Sequence, residues 1–257
     1  YVSTTASYNT SVGYRSMFAN TTSSYNTAFG AESLKANTTG SFNTALGYKA
    51  LFSNVHGDRH TAVGYQALYN TVSADNDGYD TAVGYMAGKL TTTGRYNVYM
   101  GTEAGYTNTS GDQNVYIGYA AGYTDNGSDE NVMVGSQAGF DNAAGSYNVF
   151  IGAKAAVNAT AVDSSVIIGR QAASAAAATG DDNVIMGYRA AYDLTTGYSN
   201  VLMGHSSAQN ITEGHKNIIL GHEAGGAITT AHSNVAIGYQ ALDSTTLGSE
   251  NVAIGAY

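Results

Sequence analysis

Three aspartates in the first third of the chain have the spacing of oxygen ligands. Asp75, Asp77 and Asp80 surround Gly78 in the segment DNDGYD, residues 75–80. Calcium takes about six to eight oxygen ligands, and closely spaced carboxylates in a turn can supply several of them. The segment therefore predicts a possible calcium site, and no other cofactor is expected. A solvated acidic turn is the alternative, because only part of a complete calcium-loop motif is present.

Two histidines and a set of tyrosines are the other residues that could bind a ligand. His205 and His222 lie seventeen residues apart and would form a weak transition-metal site, with two surface imidazoles as the alternative. Tyrosine recurs after a repeated glycine, and stacked exposed rings could bind a glycan or a protein, or could simply pack on one another. The sequence contains no Ser-His-Asp set, HExxH motif, phosphate-binding loop or paired carboxylates, so we expect no enzymatic activity.

The composition excludes several classes of partner. The 257 residues include 32 Gly and no Pro or Cys, only 11% are charged, and the formal net charge is −9. A nucleic-acid-binding protein needs a basic surface, so none is expected. No apolar stretch reaches the length of a membrane span, so membrane insertion is not expected either.

One repeated phrase positions these residues. NTALGYKAL at 43–51 returns as NVAIGYQAL at 234–242, and both follow the motif N-[T/V]-x-Φ-G-x-x-[A/S], where Φ is a large apolar residue. Twelve of the fourteen intervals between motifs are seventeen residues, one is eighteen and one, which contains DNDGYD, is twenty. We therefore predict one continuous repeat array over residues 1–257. The motif begins at Asn9, Asn26, Asn43, His60, Asp80, Asn97, Asn114, Asn131, Asn148, Ser165, Asn183, Asn200, Asn217, Asn234 and Asn251.

The positions of the motif predict a strand followed by a sharp bend. The second residue is always β-branched, the fourth is always large and apolar, and the fifth is glycine in all fifteen copies. Alternate strand residues share a face, so we expect the second and fourth residues, such as Thr44 and Leu46, to point into the core. Strand, bend and polar turn within seventeen residues predict an all-β fold, a parallel β-solenoid of about fifteen coils. The motif asparagines are expected to form a hydrogen-bonded ladder along it.

Two positions in the repeat exchange volume. They are the third motif residue, called the centre position, and the fourth residue after the motif glycine, called the corner position. Thirteen of fourteen pairs combine one large and one small residue, as in Ala45 with Leu51 and Tyr99 with Gly105. Close-packed interiors require such compensation, so both positions are predicted to fill one layer. The exception is Ala82 with Gly88.

The same pattern predicts self-association. If the second and fourth motif residues face the core, the centre position faces the other way, and both faces of the strand are buried. One thin coil has a single interior, so the second buried face is expected to lie between chains. We expect a homotrimer, a head-to-tail filament of chains, or both.

The phrases NTAFGAESL, NVYIGYAAG and NVAIGYQAL resemble the head repeats of YadA-like trimeric autotransporter adhesins and related repeats of phage and marine bacterial fibre proteins. The resemblance covers essentially the whole chain; the seventeen-residue period is longer than that of the adhesin heads. It implies a left-handed parallel β-roll wound as a homotrimer, which forms a rigid fibre on a cell or virion surface. The function expected is therefore a non-enzymatic structural component of an extracellular or virion fibre.

Two other functions are open at the level of sequence. An adhesin or phage receptor-binding head would use the tyrosine-rich or loop surfaces to bind a surface glycan or a host receptor. Ice binding is compatible with a regular solenoid but is disfavoured, because the threonine column from Thr10 to Thr81 is expected to face the core.

Overall fold

The computed structural model describes residues 5–72 and 78–256 of the chain. The chain divides into two compact units, Tyr1–Glu130 and Asn131–Tyr257. The described residues of each unit form a parallel β-solenoid with about seventeen residues per turn and contain no helix. The predicted all-β solenoid class is confirmed. That the two units form one continuous array stays a prediction.

The strands are three residues long and coincide with residues two to four of each motif. In the described part of the first unit they are β1 Thr10–Val12, β2 Thr27–Phe29, β3 Thr44–Leu46, β4 Thr61–Val63, β5 Thr81–Val83, β6 Val98–Met100 and β7 Val115–Ile117. In the described part of the second unit they are β8 Val132–Val134, β9 Val149–Ile151, β10 Val166–Ile168, β11 Val184–Met186, β12 Val201–Met203, β13 Ile218–Leu220, β14 Val235–Ile237 and β15 Val252–Ile254.

Within each unit, consecutive strands pair in parallel so that equivalent residues lie side by side. Thr27 pairs with Thr44, and the same offset holds along the strand. The register survives the irregular intervals, since Thr61 pairs with Thr81 and Val166 pairs with Val184. The extra residues of the twenty-residue and eighteen-residue intervals therefore lie outside the strands. Successive coils form columns, each made of the residues at one position of the repeat.

Hydrogen bonds between coils continue well beyond these short strands. The N–H groups of Thr27 and Leu34 donate to Asn43 O at 2.8 Å and Ala50 O at 3.0 Å in the following coil. Glu32 N donates to Tyr14 O at 2.8 Å in the preceding coil. Buried backbone polar groups must be paired, and here the neighbouring coil supplies the partners around corners as well as along strands.

The motif glycine is the point of closest approach between coils. Gly47 has φ of +135°, and a Cβ added there would collide with the carbonyl oxygen of Gly64 in the next coil. Only glycine satisfies both the backbone conformation and the lack of space. The predicted bend is confirmed, and its strict conservation among the repeats follows from contact with the neighbouring coil.

The centre position faces the interior of the solenoid, which corrects the predicted orientation of the strand. Ala45 and Tyr99 are fully buried, whereas Thr44 is exposed and Leu46 is 46% exposed. The prediction that the β-branched and large apolar residues point into the core is wrong. The centre and corner side chains already fill the narrow interior, so the second and fourth motif residues point outward.

The predicted exchange of volume is confirmed as packing within one layer. A Cβ added to the corner residue Gly105 would collide with the ring of Tyr99, the centre residue of the same coil. The exception, Ala82 with Gly88, has a local cause. The space above Gly88 is occupied by the ring of Tyr99 from the next coil and by the Leu68 side chain from the previous one.

Three columns of residues have positive φ in every described coil. They are the residue before the motif, the second residue after the motif glycine and the corner position. Their φ is +62° in Phe42, +56° in Lys49 and +51° in Leu51, respectively. Left-handed conformations are a genuine strain for β-branched residues. None of the three columns contains Val, Ile or Thr, although these residues are abundant elsewhere in the repeat.

The shared layer predicts a compensating pair of core mutations. Leu51→Ala should cost about 2–5 kcal/mol of the free energy of unfolding, because it leaves a cavity in a fully packed layer. Adding Ala45→Leu should recover part of that loss. Leu247→Ala, at a site outside the strands that is 70% exposed, is the control and should cost clearly less. Chemical denaturation compares the parent protein, the two single variants Leu51→Ala and Ala45→Leu, the double variant and the control. Strictly additive energies for the double variant would contradict a shared layer.

The positive-φ columns predict a difference between two substitutions at one exposed site. Lys154 has φ of +59° and is exposed. Lys154→Val should be about 1–3 kcal/mol less stable than Lys154→Ala, because a β-branched residue is strained in this conformation. The control is Ala153→Val at the preceding exposed position, where the equivalent residue of another coil is Thr102. Its effect on unfolding should be close to zero, and equal effects at both sites would refute backbone strain.

Candidate interaction surfaces

The outward face of the strands is an apolar sheet surface. The second and fourth motif residues form two parallel columns, and in the second unit these are Val, Ile, Met and Leu. Most of these side chains are half-buried. Some are exposed, such as Ile151 at 37% and Ile218 at 43%. Contiguous apolar surface of this kind is typical of a protein interface. We call these two columns the strand face.

In the first unit the strand face carries the threonine column. Thr10, Thr27 and Thr44 are exposed, and Thr61 and Thr81 are half-buried. The prediction that this threonine column faces the core, which disfavoured ice binding, is therefore wrong. The column is nevertheless limited to β1–β5 and lies beside large apolar residues such as Phe29, which is 55% exposed. Threonine gives way to valine from β6 onward.

The aromatic residues stack along the coils and remain accessible. Tyr48 and Tyr65 have ring centroids 5.4 Å apart, and Tyr65 and Tyr85 continue the stack at 5.2 Å. Tyr48 is 42% exposed. The prediction that these rings pack on one another is confirmed, and their outer edges remain open to solvent. Binding of a glycan or protein there stays a prediction.

The histidines predicted to lie close together do so. The rings of His205 and His222 are 4.7 Å apart and nearly parallel, at 6°. In parallel stacked imidazoles the nitrogen lone pairs point outward in the ring planes and do not converge on a common atom. The stack also extends to Tyr188 and Tyr239. The geometry is that of the aromatic columns, and a shared metal would require the rings to rotate.

The motif asparagines form the predicted ladder inside the solenoid. Asn43 donates its backbone N–H to Asn26 Oδ1 at 2.8 Å, and its side-chain amide to Gly57 O at 2.8 Å. A second buried amide, Asn54, donates to the same Gly57 oxygen at 2.9 Å. Asn43 Oδ1 in turn accepts the backbone N–H of His60 at 2.9 Å, so Asn43 is bonded to the motif residues on both sides of it. These bonds satisfy buried backbone groups that would otherwise lack partners.

The ladder is interrupted by a buried pair of titratable residues that replace asparagine in two adjacent motifs. His60 Nδ1 lies 3.4 Å from Asp80 Oδ2, and both side chains are fully buried. Asp80 Oδ1 accepts hydrogen bonds from the backbone and side-chain nitrogens of Asn97 at 2.9 and 3.1 Å. Asp80 Oδ2 has no hydrogen-bond partner among the described residues. The sequence signal for this pair is that two consecutive motifs begin with His60 and Asp80 instead of Asn. The pair was not predicted from that signal.

Burial shifts both groups of the pair toward their neutral forms. It raises the pKa of the Asp80 carboxyl from 3.8 to about 8, against the opposing effect of the Asn97 hydrogen bonds. The charges of Asp112 and Arg95 have smaller effects on the pKa of Asp80, one raising it and the other lowering it. Burial lowers the pKa of His60 from 6.5 to about 4. A neutral carboxylic acid beside a neutral imidazole avoids two buried charges.

These positions bear on the predicted calcium site. Asp75 and Asp77 lie outside the described residues, and for them the calcium site stays a prediction. Asp80 is fully buried in the ladder, and its raised pKa disfavours the ionised form that binds calcium. Among the described residues, no three His, Asp or Glu side chains come close enough to hold a metal ion.

Comparisons with family models, curated proteins and solved structures give no match to this chain. The described part of the chain also forms no helix long and apolar enough to cross a membrane.

The buried pair predicts a stability that falls as pH rises above about 6.5. Folding raises the pKa of Asp80, so the contribution of Asp80 to stability declines as pH rises from about 4 to 8. Folding lowers the pKa of His60, so the contribution of His60 to stability declines as pH falls from about 6.5 to 4. Below pH of about 6.5 the two pH dependences of stability oppose each other, and above it only that of the Asp80 carboxyl remains. The free energy of unfolding should then fall by up to about 1.4 kcal/mol per pH unit between 6.5 and 8.

Asp80→Asn should remove this slope, because it eliminates the carboxyl and restores the amide of the ladder. At pH 8 the variant should be more stable than the parent protein. Glu213→Gln, a carboxyl-to-amide change at an exposed site, is the control and should keep the parent slope. Urea denaturation at several pH values measures these differences. An unchanged slope in Asp80→Asn would show that the pair does not control it.

Proposed function

We propose that this chain is a non-enzymatic structural segment of an extracellular or virion-surface fibre that self-associates through its strand face. The observation that carries the proposal is the strand face itself, in which two columns of aliphatic side chains in the second unit remain exposed or half-exposed in the single chain. A parallel sheet normally has both faces covered. Here one face is covered by the interior of the coil, and another chain would cover the other.

The proposed assembly is a homotrimer wound as a left-handed β-roll, as the resemblance to YadA-like head repeats implies. Three copies related by a threefold axis can bring three strand faces together around one apolar centre. From the sequence alone, the centre position was expected to lie between chains. The buried Tyr99 and Phe150 now belong to the interior of each chain, and the second and fourth motif residues take the inter-chain role.

The ladders of hydrogen bonds support a mechanical role. Within each unit consecutive coils are joined by backbone bonds around the perimeter and, where the motif begins with asparagine, by buried amides. Bending such a stack would lengthen many of these bonds at once. Because the same bonds recur at every coil, the resistance to bending is maintained along the stack, which is what a fibre requires.

The proposal is tested by the mass of the protein in solution. Light scattering should show a particle of three times the 26.5 kDa chain mass. The double variant Ile151→Glu, Ile168→Glu places charges on adjacent strands of the strand face and should dissociate it to monomers that retain the β-rich circular dichroism spectrum.

The matched control is Tyr147→Glu, at a 59% exposed site that lies outside the two columns of the strand face. Glu130 and Glu250 occupy the equivalent position in other coils, so the change is compatible with the backbone there. This variant should keep the trimer mass. A parent protein that is monomeric at all concentrations would refute the proposed self-association. A continuous series of larger masses would replace the trimer with an open filament.

A further inference from the structure

A column made mainly of threonine joins the polar turns of successive coils. It consists of the fifth residue before each motif. Thr92 donates its hydroxyl to the backbone oxygen of Thr109 at 2.8 Å, and Thr195 donates in the same way to Thr212 at 3.0 Å. Asn126 is the only asparagine of this column.

The hydrogen bond changes where the column reaches Asn126. The Thr109 hydroxyl donates to Asn126 Oδ1 at 2.6 Å, so here the bond reaches a side-chain amide. Thr109 is itself held in place, because its backbone oxygen accepts the N–H groups of Thr92 at 2.8 Å and Thr93 at 3.0 Å. A donor fixed on an amide oxygen stabilises the negative charge that develops there when a nucleophile adds to the amide carbon.

The next residue supplies a nucleophile for that carbon. Asn126 is followed by Gly127, and this is the only Asn-Gly pair in the chain. Asn126 is exposed, and Gly127 has φ of +99°, a conformation that glycine adopts readily. Glycine has no side chain to hinder attack by its backbone nitrogen on the preceding side-chain amide. Because the two groups belong to adjacent residues, the attack is intramolecular and is favoured by proximity.

The ladder asparagines lack this combination. Asn26 is buried, and its side-chain amide donates to Gly40 O at 2.9 Å. The following residue, Thr27, is β-branched, and its N–H donates to Asn43 O at 2.8 Å. The amide is therefore shielded from water, and the nitrogen that would attack it is engaged in the ladder.

Asn210 provides a comparison at the surface. It is exposed, as Asn126 is, but it is followed by Ile211, which is fully buried. The N–H of Ile211 donates to Ala208 O at 3.1 Å. Attack by this nitrogen would break that bond and move a core side chain, so the residue that follows the asparagine distinguishes the two exposed sites.

We propose that Asn126 is a site of spontaneous deamidation, at which the chain modifies itself and Thr109 acts as a positioning residue. The Gly127 nitrogen loses its proton and adds to Asn126 Cγ. The Cγ–Nδ2 bond then breaks, ammonia leaves with that proton, and a five-membered imide forms. Water hydrolyses the imide at either of its two carbonyl carbons, which gives aspartate or isoaspartate.

The modification alters both charge and backbone at one exposed turn. Each event makes the chain one charge more negative, and isoaspartate also lengthens the backbone of the turn by one atom. Asn126 lies outside the two columns of the strand face. The reaction therefore goes beyond the fibre role and does not depend on self-association.

Incubation of the folded protein at mildly alkaline pH, followed by digestion in acid and mass spectrometry, tests the proposal. Asn126 should convert about tenfold or more faster than Asn210, because a small residue follows it and not a β-branched one. Isoaspartate should be among the products, and the rate should rise with pH, since the attacking nitrogen must lose its proton. Conversion no faster than that of Asn210 would overturn the proposal.

Two substitutions of Thr109 test its role. Thr109→Val removes the hydroxyl and keeps the shape of the side chain, and Val55 holds the equivalent position in another coil. Conversion of Asn126 should slow by about three- to tenfold, the effect of losing one hydrogen bond in the transition state. Thr109→Ser, which keeps the hydroxyl, should retain the parent rate. An unchanged or faster rate in Thr109→Val would overturn the role of Thr109.

Asn126→Thr is the matched control, because threonine is the usual residue of this column. On incubation the parent protein should develop a more acidic species in ion-exchange chromatography, and this variant should not. An equal yield of that species in Asn126→Thr would place the reaction at another residue and overturn the proposal. Circular dichroism establishes that each variant is folded before incubation.

Discussion

The fold depends on the requirement that every coil superimpose on its neighbour so that backbone groups pair from one coil to the next. Strands of three residues supply only part of these bonds, and the remainder lie at bends and corners where the chain changes direction. Turning a corner while keeping N–H and C=O groups directed along the stack requires unusual backbone angles. The positive φ of Lys49 and Leu51 and the glycine at position 47 follow from that requirement.

The interior is organised by the same superposition. Because centre and corner residues of one coil lie directly above those of the next, a large ring such as Tyr99 fills space in its own layer and in the adjacent one. Compensation therefore extends between coils. A thin core buries little apolar surface, so the hydrophobic contribution to the stability of the fold is limited. The buried amides of Asn43 and Asn54 occupy part of the interior that aliphatic side chains would fill in a larger domain.

Much of the fold follows from the sequence, because the fifteen copies act as their own alignment. The period, the strand positions, the glycine bend, the Asn ladder and the pairing of Ala45 with Leu51 were all predicted from the repeat and are confirmed. The direction of the strand was not, because alternation in a three-residue strand separates two faces without identifying the inner one. The outward residues are the more apolar set, and the inward set, which mixes Ala45 with Tyr99, resembles a variable surface position until its corner partners are considered.

The equivalence of pairing residues has a genetic consequence. Thr27 pairs with Thr44 as Thr44 pairs with Thr61, so one coil presents to its neighbours the same contacts whichever coil it follows. Recombination between repeats that inserts or removes seventeen codons would therefore preserve every column and alter only length. Coils with matching centre and corner volumes would be the most readily exchanged. Selection on the length of such a protein could thus act through unequal crossing-over, because each gain or loss of a whole repeat would leave a sequence that still folds.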